Sequence, residues 1–200
     1  MKLQFKQIQI SDKANVLALF KETAEKISKK NVDHWQYWKN PPQEKIAWVE
    51  EGIQNKEFFF ITNKNADLIG MVRILNEDKL YWGAQQEKAK YVHSLVVKEE
   101  FNGKGIGAKI LQEIETKAKT DDCNYLRLDA DTKNPKLCRY YENLGFKKVG
   151  IKELPSNRQP LTQSHIYFAH AFKGQQGANA LLNRFKAGNG RLYDLEFITD

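Results

Sequence analysis

Val97-Lys98-Glu99-Glu100-Phe101-Asn102-Gly103-Lys104-Gly105-Ile106-Gly107-Ala108 is the stretch on which the reading of this chain turns. It joins two patterns of different period. Before it, the apolar run Tyr91 to Val97 predicts a strand. After it, Ile106, Ile110, Leu111, Ile114 and Ala118 share one helical face, and Glu113 and Lys117 sit four apart on the other, so Gly105 to Lys119 predicts a helix. Glycines between a strand and a helix let backbone amides approach an anion, and the helix start adds a partial positive charge. By itself such a loop is also common structural punctuation.

Three phosphate-binding readings compete for it. A P-loop needs Gly-Lys followed by Ser or Thr, whereas Lys104 is followed by Gly105. A dinucleotide fingerprint fits Gly103, Gly105 and Ala108, with Asp129 ending a later strand. That fingerprint turns tightly out of its strand, and here Lys98 to Asn102 intervene. The chain left after Asp129 is also too short for the rest of a dinucleotide domain and a catalytic domain.

The third reading draws on more of the chain. Working outward, Leu3 to Ile10 predicts a strand, and Ser11 or Asp12 offers an N-cap to a helix with the stripe Val16, Phe20, Ala24 and Ile27. Asp33 to Lys39 is aromatic and stops at Pro41-Pro42; Gln43 to Ile53 predicts a second helix whose end Gly52 weakens. Phe58 to Thr62 and Leu68 to Leu75 predict strands, followed by a polar connection with Tyr81 and Trp82. Tyr125 to Ala130 is the next strand. Asn134 then caps a helix that starts at Pro135, carries the stripe Leu137, Cys138, Tyr141 and Leu144, and stops at Gly145. Phe146 to Leu154 and Ile166 to Phe172 predict two closing strands around a polar loop.

On these residues the chain resembles the GNAT N-acetyltransferases. Val97 to Gly107 is similar to their acetyl-CoA-binding segment, with Asn102 where the family prefers Arg or Gln. Asn134, then Tyr141, then Gly145-Phe146 resembles their second signature. The resemblance covers roughly residues 1 to 172. It implies an α/β fold: a mixed, largely antiparallel sheet flanked by helices on both faces, with a C-terminal appendage.

The same resemblance implies a chemistry. Amides of Gly103, Lys104, Gly105, Ile106, Gly107 and Ala108 would hold the pyrophosphate of acetyl-CoA, with Lys104 adding charge. A bulge near Leu95, Val96 and Val97 would free backbone groups for the pantetheine arm and one amide for the thioester carbonyl. Tyr141 matches the position of the acid that protonates the leaving sulfur, although its stripe is equally that of a core tyrosine. Asn134 can both cap its helix and contact the cofactor. Asp129 stands where some members carry a catalytic carboxylate; Asp131, His93 and ordered water are alternatives for the base.

The implied function is acetyl transfer from acetyl-CoA to a primary amine of a small molecule or a protein. The alternative is a non-catalytic module that binds acyl-CoA as a sensor or partner. Trp35, Tyr37, Trp38, Tyr81 and Trp82 would stack on the acceptor or fill a second core.

Composition bounds the rest. Hydrophobic residues at 41% and charged residues at 28% indicate a globular chain. No apolar run suits a membrane span. Met1 to Lys6 lacks a signal-peptide pattern and there are only two cysteines, Cys123 and Cys138, so a cytoplasmic location is expected. The net charge of +7 comes from scattered Lys and Arg, favouring an anionic ligand rather than a nucleic-acid tail. His34, His93, His165 and His170 have no metal-ligand spacing, so no metal is expected.

Residues 1 to 173 are therefore expected to be one acetyltransferase domain. Gly174 to Asp200 changes character and reads as an appendage, either a docking segment or an expression-derived tail. Ala178, Leu181, Leu182 and Phe185 make a short apolar stripe that should dock on its own domain, with a homodimer as the alternative.

Overall fold

The computed structural model describes residues 1–29, 35–154 and 163–172. The expected appendage, the loop before the last strand, and Asp33 and His34 lie outside the described residues. Element order is β1 (Gln4–Gln7), α1 (Lys13–Ser28), α2 (Gln43–Gln54), β2 (Phe58–Thr62), β3 (Leu68–Leu75), α3 (Lys79–Trp82), β4 (Ala89–Val97), α4 (Ile106–Thr120), β5 (Tyr125–Asp131), α5 (Pro135–Asn143), β6 (Lys147–Leu154) and β7 (Gln163–Ala171). The fold is α/β, and its strands pair mostly antiparallel, as the resemblance implied.

The described residues divide into two compact units. The first comprises Met1–Leu75 and Val92–Lys117. Here β1 pairs antiparallel with β2, and β2 with β3. Phe58 and Phe60 alternate onto one face and enter a core with Val16, Leu19 and Phe20 of α1, and with Val49 and Ile53 of α2. Phe59 turns to the other face, edge-on to Phe5 and beneath the Lys117 ammonium. This is the period-two signature of a strand covered on both sides.

Two local expectations are corrected in this unit. Asp12 occupies the N-cap position of α1 but makes no cap bond; its carboxylate accepts from the Gln9 amide of the preceding turn. Gly52 is buried inside α2, where an added Cβ would lie 2.7 Å from Phe58 and 2.8 Å from the Arg73 guanidinium. The glycine therefore makes room for a buried arginine. Arg73 Nε and Nη2 donate to Glu57 at 2.9 and 2.6 Å, and its guanidinium sits 4.0 Å over the Trp48 ring.

The second unit comprises Asn76–Tyr91 and the described residues from Ala118 on. β7 pairs antiparallel with both β5 and β6. The register sets Arg127 opposite Ala169, Asp129 opposite Tyr167 and Asp131 opposite His165, all on one face of the ladder. Leu126, Leu128 and Ala130 occupy the other face of β5 and are buried. The connection expected to be merely polar contains α3, capped by Asp78, whose carboxylate accepts from the Tyr81 amide.

Candidate active site

In the first unit, the candidate binding residues are built from backbone. Ser94 lies within β4 at φ 54, a left-handed conformation that costs a non-glycine residue about 1–2 kcal/mol. That φ interrupts the regular strand one residue before Leu95, next to the residues near which a bulge was expected. Val96 is buried, while Leu95 and Val97 are half-buried. Gly70 on β3 faces the Val96 carbonyl so closely that an added Cβ would lie 2.0 Å from that oxygen. A glycine inside a strand signals such an approach, and the sequence reading did not use it.

Past β4, Glu99–Phe101 forms a single 3₁₀ turn, and Gly103 and Gly105 adopt φ of 70 and 67. Any L side chain would be strained at either position, and the space a Cβ would enter is open. α4 begins at Ile106, and the Lys109 amide donates to the Gly105 carbonyl at 3.1 Å. The amides of Ile106, Gly107 and Ala108 belong to the first turn of α4, the end at which a helix presents N–H groups to a ligand. Exposed left-handed glycines at the start of a helix form a cradle suited to a phosphate group. Lys104 is less direct than expected: its ammonium donates to the Glu100 carbonyl at 2.8 Å and lies over Phe101. A small cleft runs between α1, through Leu19, Glu22, Thr23 and Lys26, and the β4 end from Val96 to Glu99.

In the second unit, the candidates are side chains. Asn134 Oδ1 accepts from the Leu137 amide at 3.1 Å, so this residue is the N-cap that the sequence indicated. Tyr141 is 8% exposed, with its ring against Phe146 and Phe168. Burial pushes the Tyr141 phenol well above its ordinary value, and the Asp129 carboxylate pushes in the same direction. The phenol is thus a fully protonated donor at neutral pH, near enough to Asp129 to feel its charge. Its ring is packed in the core, as its helical stripe also allowed.

Asp129 is held in a way the sequence did not suggest. Its Oδ2 lies 2.6 Å from Nδ1 of His165, both side chains being nearly buried. Asp131, the alternative carboxylate, instead accepts from the Lys133 amide at 2.8 Å. His93 is half-buried on β4 in the first unit.

Five aromatic residues were expected to serve an acceptor or a core. Trp38 stacks on Phe20 at 4.0 Å, and Trp82 packs edge-on to Tyr91 and Tyr167; both are core. Trp35, Tyr37 and Tyr81 are half-buried.

Residues 24–146, which contain the glycine cradle, Asn134 and Tyr141, match the acetyltransferase (GNAT) family. The chain belongs to the GNAT acetyltransferase family. The uncharacterized N-acetyltransferase YesJ of Bacillus subtilis is 30% identical over 104 residues, which cover 50% of this chain and 58% of YesJ. A 53-residue stretch is 57% identical to a saccharopine dehydrogenase of Schizosaccharomyces pombe, covering 26% of this chain but only 14% of the dehydrogenase.

Among solved structures, a GNAT acetyltransferase of Streptococcus agalactiae superposes with a TM-score of 0.66 at 16% identity, over 86% of this chain and 96% of that one. A spermidine N-acetyltransferase chimera from Vibrio cholerae and hSSAT superposes at 0.60 and 15% identity, over 92% of this chain and all of that one. At such identities these neighbours share the GNAT fold.

Proposed function

We propose that this GNAT protein is an N-acetyltransferase that moves an acetyl group from acetyl-CoA to a primary amine of a small molecule or a protein. The observation that carries the reading is the cradle itself: two left-handed glycines, open space beside them, and the start of α4 directly after them. These features fit a pyrophosphate, and the family match over the same residues supports that choice of ligand. The spermidine acetyltransferase neighbour supports an amine as the acceptor class.

When bound, acetyl-CoA supplies an acetyl group activated as a thioester. Gly103 to Ala108 would hold its phosphates through main-chain amides, with Lys104 contributing field rather than a fixed contact. Leu95, Val96 and Val97, which follow the positive-φ Ser94, would offer backbone groups that bind the pantetheine arm as an added strand and polarise the carbonyl. Asn134 holds the start of α5 and thereby positions Tyr141. The Tyr141 phenol keeps its proton across the neutral range, so it is ready to hand that proton to the departing sulfur.

The domain would span residues 1–173, with 174–200 as an appendage outside the site, in a cytoplasmic protein. No helix among the described residues is long and apolar enough to cross a membrane. Truncation after Lys173 should leave coenzyme A affinity intact. A folded truncation that no longer binds would put the tail in the site.

The decisive experiment is calorimetry with coenzyme A, followed by acetyl-CoA turnover against a primary-amine library read by mass spectrometry and thiol release. Binding with acetylated product supports the enzyme. Tight binding with no product from any amine supports the sensor module instead.

A further inference from the structure

Resting on the acetyltransferase reading, we infer that Gly70 and the bulge at Ile69 are positioning elements for the coenzyme. Together they fasten the end of β4 to β3, and so set where the Val97 main chain and the glycine cradle stand. Ile61 of β2 pairs with Gly70 but Thr62 pairs with Leu68, so Ile69 is an extra residue in the ladder. The Ile69 carbonyl accepts from the Lys98 amide at 2.8 Å. At Gly70 the Val96 main chain comes so near that an added Cβ would lie 2.0 Å from its oxygen and 3.2 Å from Val97 Cα. A glycine inside a strand marks a bulge or a close backbone approach, and Gly70 has both beside it. All of these residues belong to the first unit.

Peptide geometry gives the arrangement its consequence. In a trans peptide the carbonyl of one residue and the amide of the next point in opposite directions. The Val96 carbonyl is directed at Gly70, so the Val97 amide points away from β3. The Lys98 amide is directed at Ile69, so the Val97 carbonyl points away as well. Among the candidates for backbone contact with the pantetheine arm, Val97 is thus the residue whose two main-chain groups are both aimed by β3.

The fastening also reaches the cradle. The Lys98 carbonyl accepts from the Phe101 amide at 3.0 Å, closing the 3₁₀ turn that leads into Gly103 and Gly105. The Glu100 carbonyl of that turn accepts from Lys104 Nζ at 2.8 Å. A continuous path therefore runs from the bulge carbonyl through Lys98 and the turn to the glycines. A methyl group at residue 70 would drive the Val96 carbonyl off β3 and shift this path with it. A displacement of about 1 Å, even remote from the reacting atoms, is enough to lower a rate about 10²-fold.

The test uses the full chain, calorimetry with coenzyme A, and acetyl-CoA turnover with the best amine from the library. Gly70 is not left-handed, so Gly70→Ala meets the Val96 carbonyl with no backbone strain of its own. It should weaken coenzyme A binding about tenfold and lower kcat about 10²-fold. Gly52→Ala is the comparison, because that buried glycine also lacks room for a Cβ, but its nearest atoms are the Phe58 and Arg73 side chains and not the β4 main chain. It should lower Tm while coenzyme A affinity and kcat stay as in the wild type. Lys98 has φ of −62, the value a proline ring imposes, so Lys98→Pro deletes the amide bonded to Ile69 without forcing the backbone. It is read against Lys98→Ala, which loses the same ammonium and its 2.7 Å pair with Glu100 but keeps the amide. Relative to that variant, Lys98→Pro should bind coenzyme A about tenfold more weakly.

Wild-type affinity and kcat in a folded Gly70→Ala, Lys98→Pro binding no more weakly than Lys98→Ala, or an equal loss of affinity in Gly52→Ala overturns the inference while leaving the acetyltransferase reading in place. A wild type that binds no coenzyme A overturns both. One that binds but acetylates no amine leaves the affinity comparisons to decide. Should Gly70→Ala fail to fold, Lys98→Pro carries the decision. Should both fail, hydrogen exchange at the wild-type Lys98 amide carries it: coenzyme A should slow that exchange at least about tenfold, and an unchanged rate overturns the inference.

Discussion

In the first unit, the polar groups of the candidate site are main-chain amides, around Gly103, Gly105 and the start of α4. In the second they are side chains: a protonated phenol at Tyr141 and a carboxylate–imidazole pair at Asp129 and His165. Two buried arginines among the described residues repeat the contrast. Arg73 in the first unit has two bonds to Glu57 and a stacked Trp48. Arg127 in the second donates to the Tyr91 hydroxyl, lies among the rings of Trp82, Tyr91 and Tyr125, and has Glu87 only at 3.8 Å. The first unit meets its buried arginine with a bonded carboxylate; the second holds its own mainly among aromatic rings.

The contrast breaks most sharply at the glycine cradle. Gly105→Glu places a charged side chain at φ 67 in the space offered to a phosphate and should lower coenzyme A affinity by at least about 10³-fold in a folded protein. Calorimetry on the folded variant decides this, and unchanged affinity would remove the loop from the binding site. In the second unit, Tyr141→Phe keeps the ring but deletes the proton donor. Turnover should fall about 10²-fold with coenzyme A affinity barely moved. Normal turnover with a lowered Tm would leave Tyr141 as a core residue alone.

Smaller effects sharpen the comparison of the arginines. Glu57→Gln removes the charge from a short, mostly buried pair and should cost about 2–3 kcal/mol in denaturant unfolding. Glu87→Gln should cost under about 1 kcal/mol, because its carboxylate is distant and partly solvated. Equal losses would show that the 3.8 Å pair matters as much as the 2.6 Å one.

The last effect is alkaline. Burial raises the phenols of Tyr91, Tyr141 and Tyr167 above the ordinary value near 10. Above that pH the unfolded chain sheds protons that the folded one retains, so stability falls as pH rises. The stability these phenols carry is intact below about pH 10 and lost through the alkaline range. Unfolding midpoints from pH 8 to 11 should decline more gently in Tyr141→Phe than in the wild type.

Much of the fold was legible because its signals are local. Phe58–Thr62 and Leu68–Leu75 have the expected bounds, since β-branched and aromatic runs between turn residues specify strands without distant help. Asn134, Pro135 and Gly145 mark the ends of α5 because capping chemistry acts within one turn. The glycine cradle was legible for the same reason: a left-handed backbone next to a helix start is written in the residues that form it. Ser94 was not, because a serine carries no sign of positive φ; only the expectation of a bulge nearby located the region.

Where the sequence misled or stayed silent, residues distant along the chain had to meet. Gly52 reads as a weak helix end until Arg73 and Phe58 fill the space beside it. Gly70 reads as a neutral strand position until the Val96 carbonyl faces it. Local sequence carried the strand and helix patterns, the glycine loop and the tyrosine helix, while the α/β sheet that joins them was implied by the resemblance to the GNAT family. Which group partners Asp129 was decided by the β5–β7 register, which brings His165 across thirty-six positions of sequence. A strand pattern specifies which side chains share a face but not which strand lies beside it, so only the tertiary ladder could create that pair.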